Sequence, residues 1–394
     1  MNTRTIGVVT VARSDYGLYL PILRAIESDP GLQLSLLVTG MHLSPEFGLT
    51  VRTIETDGFE VHERVEMLLS SDTPGGIARS MGLGTIGFAQ VYARSRPDIL
   101  LVLGDRFEMH AAALAALPFT IPIAHIHGGE LTQGAIDDAL RHSLTKLSHL
   151  HFVSTPEYGR RVVQLGEEPW RVTVSGAPGL DNLNHVRLLS REEFAARFGV
   201  PLEDTFLLVT YHPVTLEYQH TEWQVQELLA ALERVRLPLL FTMANADTQG
   251  RIVNQMIQHF IAAHPSAWLV NNLGTQGYFS AMALASAMVG NSSSGIVEAA
   301  SFKLPVVNIG TRQQGRVRGK NVIDTGYRRS DIQQGINQAL APAFRESLAD
   351  LVNPHGDGRA AGRIVRVLRD VPLDARLIAK CFQDVHGAGG EFAE

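Results

Sequence analysis

A chain of 394 residues is longer than one ordinary core can fill, so two domains are the default expectation. Apolar residues make up 45% and charged residues 19%, a globular composition that excludes extended disorder. The formal charge of −6, with no long Lys/Arg run, excludes a nucleic-acid-binding stripe, and the single Cys381 excludes an internal disulfide framework or a cysteine-built metal site. No run reaches the ~18 apolar residues of a membrane-spanning helix. Met1-Asn2-Thr3-Arg4 leads into a short apolar run without a signal-peptide pattern. The expectation is a soluble cytoplasmic protein with no nucleic-acid or membrane partner.

Short β-rich apolar runs alternate with segments of helical period along the whole chain. Thr5–Val11 reads as a buried strand, ARSDYG as the loop after it, and Leu18–Ser28 as a helix with Pro21 near its first turn. Leu32–Val38, Asp98–Leu103, Ile121–Ile126 and Leu150–Val153 continue the strands, with a Gly-broken helix around Gly76–Ser95. Ser175–Asn184 (SGAPGLDNLN) reads as a linker. Beyond it Ser190–Glu193 opens a helix with a capping box. Thr205–Thr210, Pro238–Met243, Trp268–Val270, Met288–Val289 and Leu304–Ile309 supply further strands, and a helix near Arg359–Leu368 closes the series. Continuous apolar strands separated by helices predict an α/β protein with parallel sheets, whose ligands sit beyond the carboxyl ends of the strands.

Polar residues the fold does not need collect at those ends. Arg13, in the first strand-to-helix turn, suits an anion, although a solvated arginine in an ordinary turn reads the same way. The turn is neither a GxGxxG fingerprint nor a Walker A loop, which disfavours a nicotinamide cofactor and P-loop ATP. Asp105 and Arg106 (LGDRFE) fit a proton-transfer carboxylate beside a phosphate-binding cation; an aspartate there is also a good helix N-cap. In HIHGGE, period 2 puts His125 and His127 on one side of a strand, but no third ligand stands at metal-site spacing. Glu130 follows, and Asp137-Asp138 opens a helix where one of the two is structural. Farther on, His212 ends a strand and could neutralise or protonate a phosphate, and Asn245 and Asp247 end the next. The run GNSSSG offers Ser292 and Ser293 at a helix N-terminus, with backbone donors and a dipole for a diphosphate. Glu298, about one turn on, suits a ribose, and Arg312 adds a cation. The second half reads as a nucleoside-diphosphate site, and the first as acting on what is attached to it.

The motifs RSDYG, VTGMHLSPEFG, LGDRFE, HIHGGE, IDDALRHSLTKLSHLHF, YHPVT, NADT, GNSSSGIVEA, GRVRG and NPHGDGRAAGRI follow one another from about residue 5 to 365. As an ordered set they resemble the hydrolysing UDP-N-acetylglucosamine 2-epimerases of the NeuC type. The resemblance implies the GT-B fold: two Rossmann-like domains, 1–180 and 181–365, whose parallel sheets face a central cleft, with helical segment 366–394 crossing back to the first. It implies anti elimination of UDP to a 2-acetamidoglucal, then hydration to N-acetylmannosamine, in nonulosonic (sialic) acid synthesis. No metal or other cofactor enters, and the partners are the UDP-sugar, UDP and a second copy of the chain in a homodimer or homotetramer. By the same resemblance Asp105 and Asp137 are acid/base carboxylates. Arg13, Arg106, His212, Asn245, Ser292, Ser293, Glu298 and Arg312 hold UDP, and His212 also stabilises the leaving diphosphate. Some members carry glutamate where this chain has His127, which leaves the second proton-transfer group open between His127 and Glu130. Two other readings share these motifs. One is the same reaction on UDP-2,4-diacetamido-2,4,6-trideoxyglucose, on the way to legionaminic acid. The other is a GT-B glycosyltransferase or a non-catalytic UDP-sugar-binding protein.

Overall fold

Short apolar runs that alternate with helices can pair only as parallel strands, because each helix carries the chain back to the starting edge of the sheet. The computed structural model describes residues 3–71, 73–132, 136–202, 204–243 and 250–384, and they fall into two units. The first takes residues up to 132, then 136–182, and resumes at Gly356; the second takes 183–355. The change of unit therefore comes at Gly356, earlier than the expected boundary after 365.

The first unit contains β1 (Arg4–Thr10), β2 (Leu32–Thr39), β3 (Val61–Val65), β4 (Ile99–Leu103), β5 (Ile123–Ile126), β6 (Leu150–Val153) and β7 (Val172–Val174). They form one sheet in the order β3-β2-β1-β4-β5-β6-β7, parallel throughout. The second contains β8 (Leu207–Thr210), β9 (Leu239–Thr242), β10 (Ala267–Val270), β11 (Ala287–Gly290), β12 (Val306–Ile309) and β13 (Val322–Thr325), in the order β10-β9-β8-β11-β12-β13, again all parallel. Both orders are Rossmann orders. The strand sequence reverses between β1 and β4 in one unit and between β8 and β11 in the other, and those switch points are where such sheets bind ligands.

The central strands β1, β4 and β5 are almost wholly buried, which is why their side chains are a continuous apolar run. The first helix begins at Arg13, not Leu18, so ARSDYG is its cap and opening turn and Pro21 lies well inside it. Its opening turn is held by Asp15, whose carboxylate accepts from the Val11 and Ala12 amides at 2.9 and 2.7 Å. The expected capping box is present: Glu193 N–H donates to Ser190 Oγ at 3.2 Å and Ser190 N–H to Glu193 Oε2 at 2.9 Å. Among the described residues no helix is long and apolar enough to cross a membrane.

The stretch expected as a linker does hold the change of unit, between residues 182 and 183, and it is anchored as well. Asp181 is buried, and its two carboxylate oxygens accept from Ala360 N–H at 2.9 Å and Ala361 N–H at 2.7 Å. It thus caps the helix Ala360–Asp370, which packs on the helix Arg13–Glu27. The tail beyond is pinned as well. Arg171, 1% exposed, donates to the carbonyls of Leu377 and Arg376 at 2.8 Å each. Glu167, also 1% exposed, accepts from Lys146 Nζ at 2.6 Å, His151 Nε2 at 3.1 Å and Lys380 Nζ at 2.9 Å.

Burial alone would raise the Glu167 carboxyl, but His151, Lys146 and Lys380 hold it down to about 2 from an ordinary 4.5. A carboxyl lowered in the folded state stabilises the fold above its unfolded value and loses that contribution as the pH falls through its folded value. Glu167→Gln should lower the stability of the first unit by about 3 kcal/mol near neutral pH, because it leaves the largely buried Lys380 without its counter-charge. Thermal unfolding of both chains across acid pH checks this: the gap should narrow as the pH falls from about 4.5 towards 2. A gap that stays constant across that range would mean the carboxyl is not held low.

Candidate active site

In the first unit the carboxyl ends of β1, β4 and β5 bring together the expected acid/base residues. Asp105 follows β4, yet the N-cap of the next helix, Phe107–Ala116, is Arg106 and has no side-chain cap. The carboxylate of Asp105 goes elsewhere, to an ion pair with Arg141 Nη2. Arg141 is 4% exposed. It also donates from Nη1 to the His127 carbonyl at 2.8 Å and from Nη2 to Thr132 Oγ1 at 3.2 Å.

The helix Ile136–Leu147 supplies Arg141 and, one turn earlier, Asp137. Burial raises the Asp137 carboxyl and the neighbouring Asp105 charge raises it further; Arg106 and Arg141 oppose the shift without cancelling it. Asp138 is the structural member of the acidic pair, since its Oδ1 accepts from Thr132 N–H at 2.7 Å.

Arg106 was expected as an anion-binding cation, but its charge is already partnered. It donates from Nε and Nη2 to the fully buried Glu108 at 3.1 and 2.8 Å. Gly40 allows this packing: its φ is +61°, and a Cβ there would lie 3.1 Å from Glu108 Oε1. Arg13 stands exposed at the start of its helix, with no hydrogen bond or ion pair among the described residues. Under the same rim Asp15 is buried, and desolvation pushes it up to about 6 despite its amide and Thr10 donors. Thr10 Oγ1 bridges Asp15, at 2.7 Å, to His42 Nε2, at 3.0 Å.

The expectation that His125 and His127 share a side of the strand is not met, because β5 ends at Ile126 and His127 takes φ +65°. His125 is fully buried against the Gly104 carbonyl at 2.8 Å, and burial holds it down to about 3. It is a core histidine. His127 Nδ1 lies 2.6 Å from Glu130 Oε1, which also accepts from Ser154 Oγ at 3.1 Å. Among the described residues no group of three His, Cys, Asp or Glu is gathered for a metal ion.

In the second unit the switch point between β8 and β11 holds His212 and the GNSSSG run. Gly290 has φ +140° and packs so closely that a Cβ would sit 1.9 Å from the Thr210 carbonyl oxygen. Only glycine fits. Asn291 then staples the two strand ends, accepting from His212 N–H at 2.7 Å and donating to the His212 carbonyl at 2.8 Å. Arg312 Nη1 and Gln313 Nε2 both donate to the Asn291 carbonyl, at 3.1 and 2.9 Å.

His212 is buried, and desolvation followed by the Arg312 charge holds it down to about 3. It is therefore neutral at pH 7 and meets an anion as a hydrogen-bond donor, the fixed charge there being Arg312. Ser292 caps the helix Ser293–Val297 by accepting from Ser294 N–H at 3.3 Å, while Ser293 is exposed and Glu298 half-buried beyond the helix. The helix has five residues, so the expected dipole is that of little more than one turn. Asn245 and Asp247 lie outside the described residues. Sequence reasoning passed over Arg141, Thr132, Glu108, Ser154 and Asn291. Arg141 and Asn291 stood inside quoted motifs, but only the fold shows what they hold.

The family described as UDP-N-acetylglucosamine 2-epimerase matches residues 24–369. The chain is 38% identical to the GDP/UDP-N,N'-diacetylbacillosamine 2-epimerase (hydrolyzing) of Campylobacter jejuni, across 98% of this chain and 100% of that one. It is 37% identical to the UDP-N,N'-diacetylbacillosamine 2-epimerase (hydrolyzing) of Legionella pneumophila, across 96% and 99%. Among solved structures it resembles the UDP-GlcNAc 2-epimerase of Methanocaldococcus jannaschii crystallised with UDP-GlcNAc and UDP, with a TM-score of 0.76 at 19% identity over 92% and 99% of the two chains. That likeness shows the fold, GT-B with two Rossmann-like parallel sheets. Because the match runs through both switch points and nearly the whole chain, the protein belongs to the UDP-N-acetylglucosamine 2-epimerase family.

Proposed function

We propose that the chain is a hydrolysing 2-epimerase of a UDP-sugar. It eliminates UDP across C1–C2 of the sugar, then hydrates the resulting glycal to the free C2 epimer. The observation that carries this reading is the unequal pair of carboxylates in the first unit. Asp105 is ion-paired with Arg141, and Asp137 is pushed up by burial and by Asp105 itself. Inverting one carbon needs an acid on one face and a base on the other, and neighbouring groups in different environments supply both. His212, Ser292, Ser293, Glu298 and Arg312 in the second unit are the groups for UDP, with Asn245 and Asp247 as further candidates. Charge develops on the diphosphate as the C1–O bond breaks, and donors already fixed in place stabilise it most.

For the sugar, the relatives at 38% and 37% identity carry the name diacetylbacillosamine, whereas a Neisseria meningitidis UDP-N-acetylglucosamine 2-epimerase is 32% identical over 84% of this chain. This favours UDP-2,4-diacetamido-2,4,6-trideoxyglucose over UDP-N-acetylglucosamine, reversing the order that the motifs alone gave. The product is then the 2-epimer of the diacetamido sugar; with UDP-N-acetylglucosamine it is N-acetylmannosamine.

Proton NMR in D2O with each sugar nucleotide, and with the GDP form of the diacetamido sugar, tests this directly. The expected result is nucleotide release with deuterium at C2 of the product, fastest on the UDP-diacetamido sugar and without any acceptor. A requirement for an acceptor sugar would instead mean a glycosyltransferase. Asp105→Asn and Asp137→Asn should each lower turnover at least about 100-fold while UDP still binds; unaltered rates in both would remove them from the mechanism. Ser293→Ala combined with Glu298→Ala should weaken UDP binding about tenfold or more in calorimetry. Unchanged affinity there would misplace the nucleotide.

A further inference from the structure

The HIHGGE turn offers two groups for one task, and its geometry separates them. The backbone at His127 is fixed on both sides. Its N–H donates to the Phe152 carbonyl at 3.0 Å and its own carbonyl accepts from Arg141 at 2.8 Å. Two residues on, Gly129 has φ +76°, and a Cβ there would lie 2.4 Å from the Tyr158 carbonyl oxygen. The turn is wedged against the helix Pro156–Gln164, and this packing holds His127 at φ +65°, a region that histidine enters more readily than most non-glycine residues.

The two side chains then differ in what they have left to offer. Glu130 Oε1 takes both His127 Nδ1, at 2.6 Å, and Ser154 Oγ, at 3.1 Å, and its side chain is 11% exposed. A carboxyl oxygen that accepts from both neighbours makes Nδ1 the donor of the pair and leaves Nε2 as the ring nitrogen with a lone pair. Nε2 makes no hydrogen bond among the described residues, and the His127 side chain remains 14% exposed.

We propose that His127 is the proton-transfer residue of this turn, acting through Nε2, and that Glu130 is its positioning residue rather than a second acid. The assignment rests on the proposed epimerase reaction. In the elimination the C2–H bond breaks, and its electron pair becomes the C1–C2 π bond. The C1–O pair leaves on the diphosphate, and the proton passes to Nε2, so that His127 takes the base's part at C2 and Asp137 of the carboxylate pair keeps the acid's. Glu130 balances the imidazolium across the Nδ1–H bond, as a buried carboxylate does for a catalytic histidine. In the hydration Asp137 gives a proton to C2 while water adds its oxygen to C1 and releases its own proton to Asp105.

The test uses the full-length chain and two variants that keep the local packing. His127→Asn suits the positive φ and can still donate to Glu130 but cannot carry a proton. It should lower kcat about 100-fold to 10,000-fold with UDP affinity unchanged. Glu130→Gln should lower kcat about 10-fold to 100-fold at unchanged KM, the loss expected for a group that orients another. A smaller loss in His127→Asn than in Glu130→Gln would overturn the assignment. Nitrogen-15 NMR of the histidine rings reads the tautomer without substrate: His127 should be Nδ1–H in the wild type and lose that preference in Glu130→Ala. An Nε2–H wild-type ring would overturn the pairing whatever the activity. The expected tautomer in a chain inert towards every sugar nucleotide would uphold the pairing and sink the epimerase reading instead.

Discussion

One buried guanidinium indexes the first unit's site. Arg141 is 4% exposed and reaches the Asp105 carboxylate, the Thr132 hydroxyl and the His127 carbonyl at once. These belong to the segments after β4 and β5, which the paired strands bring side by side. Burying a cation is costly unless its partners are well placed, and a planar fork with several donors can satisfy three of them where an ammonium could not. Because Arg141 stands one turn after Asp137 on the same helix, the ion pair also fixes how Asp137 is presented. The sheet sets where the strands end. Arg141 sets what stands there.

The two units solve different problems at equivalent switch points. The first concentrates ionisable pairs: Arg106 with Glu108, Arg141 with Asp105, His127 with Glu130. The second relies on backbone closeness and neutral donors, with Gly290 pressed on Thr210 and Asn291 binding His212 through both of its main-chain groups. Proton transfer needs groups whose charge can change, whereas holding a diphosphate needs donors that stay put. In the proposed reaction a neutral, buried His212 beside Arg312 suits the second task.

Much of this was legible in the residues, and what was not has a physical pattern. The continuous apolar strands were found to within a few residues, whereas β3, β7 and β13 were passed over. Each is a sheet edge with partly exposed side chains, so no continuous apolar run marks it. The RSDYG turn read as a loop because its polar residues are also the opening turn of a helix, where Asp15 is turned back on the chain. The linker-like SGAPGLDNLN hid a buried Asp181 whose partners lie far along the chain at Ala360 and Ala361. Local pattern shows which residue types are present; it does not show which distant amide or guanidinium claims them.

That last point decides the chemistry at Asp137. Two arginines near a carboxylate lower its affinity for a proton, and acting alone they would hold Asp137 down. In the fold both cations are already committed, Arg106 to a fully buried Glu108 and Arg141 to Asp105. Their fields still reach Asp137 but are offset by the anions that hold them, so burial and the Asp105 charge prevail and the carboxyl is raised. The raised Asp137 carboxyl thus follows from burial and from the charge of Asp105, which together outweigh the two cations near it.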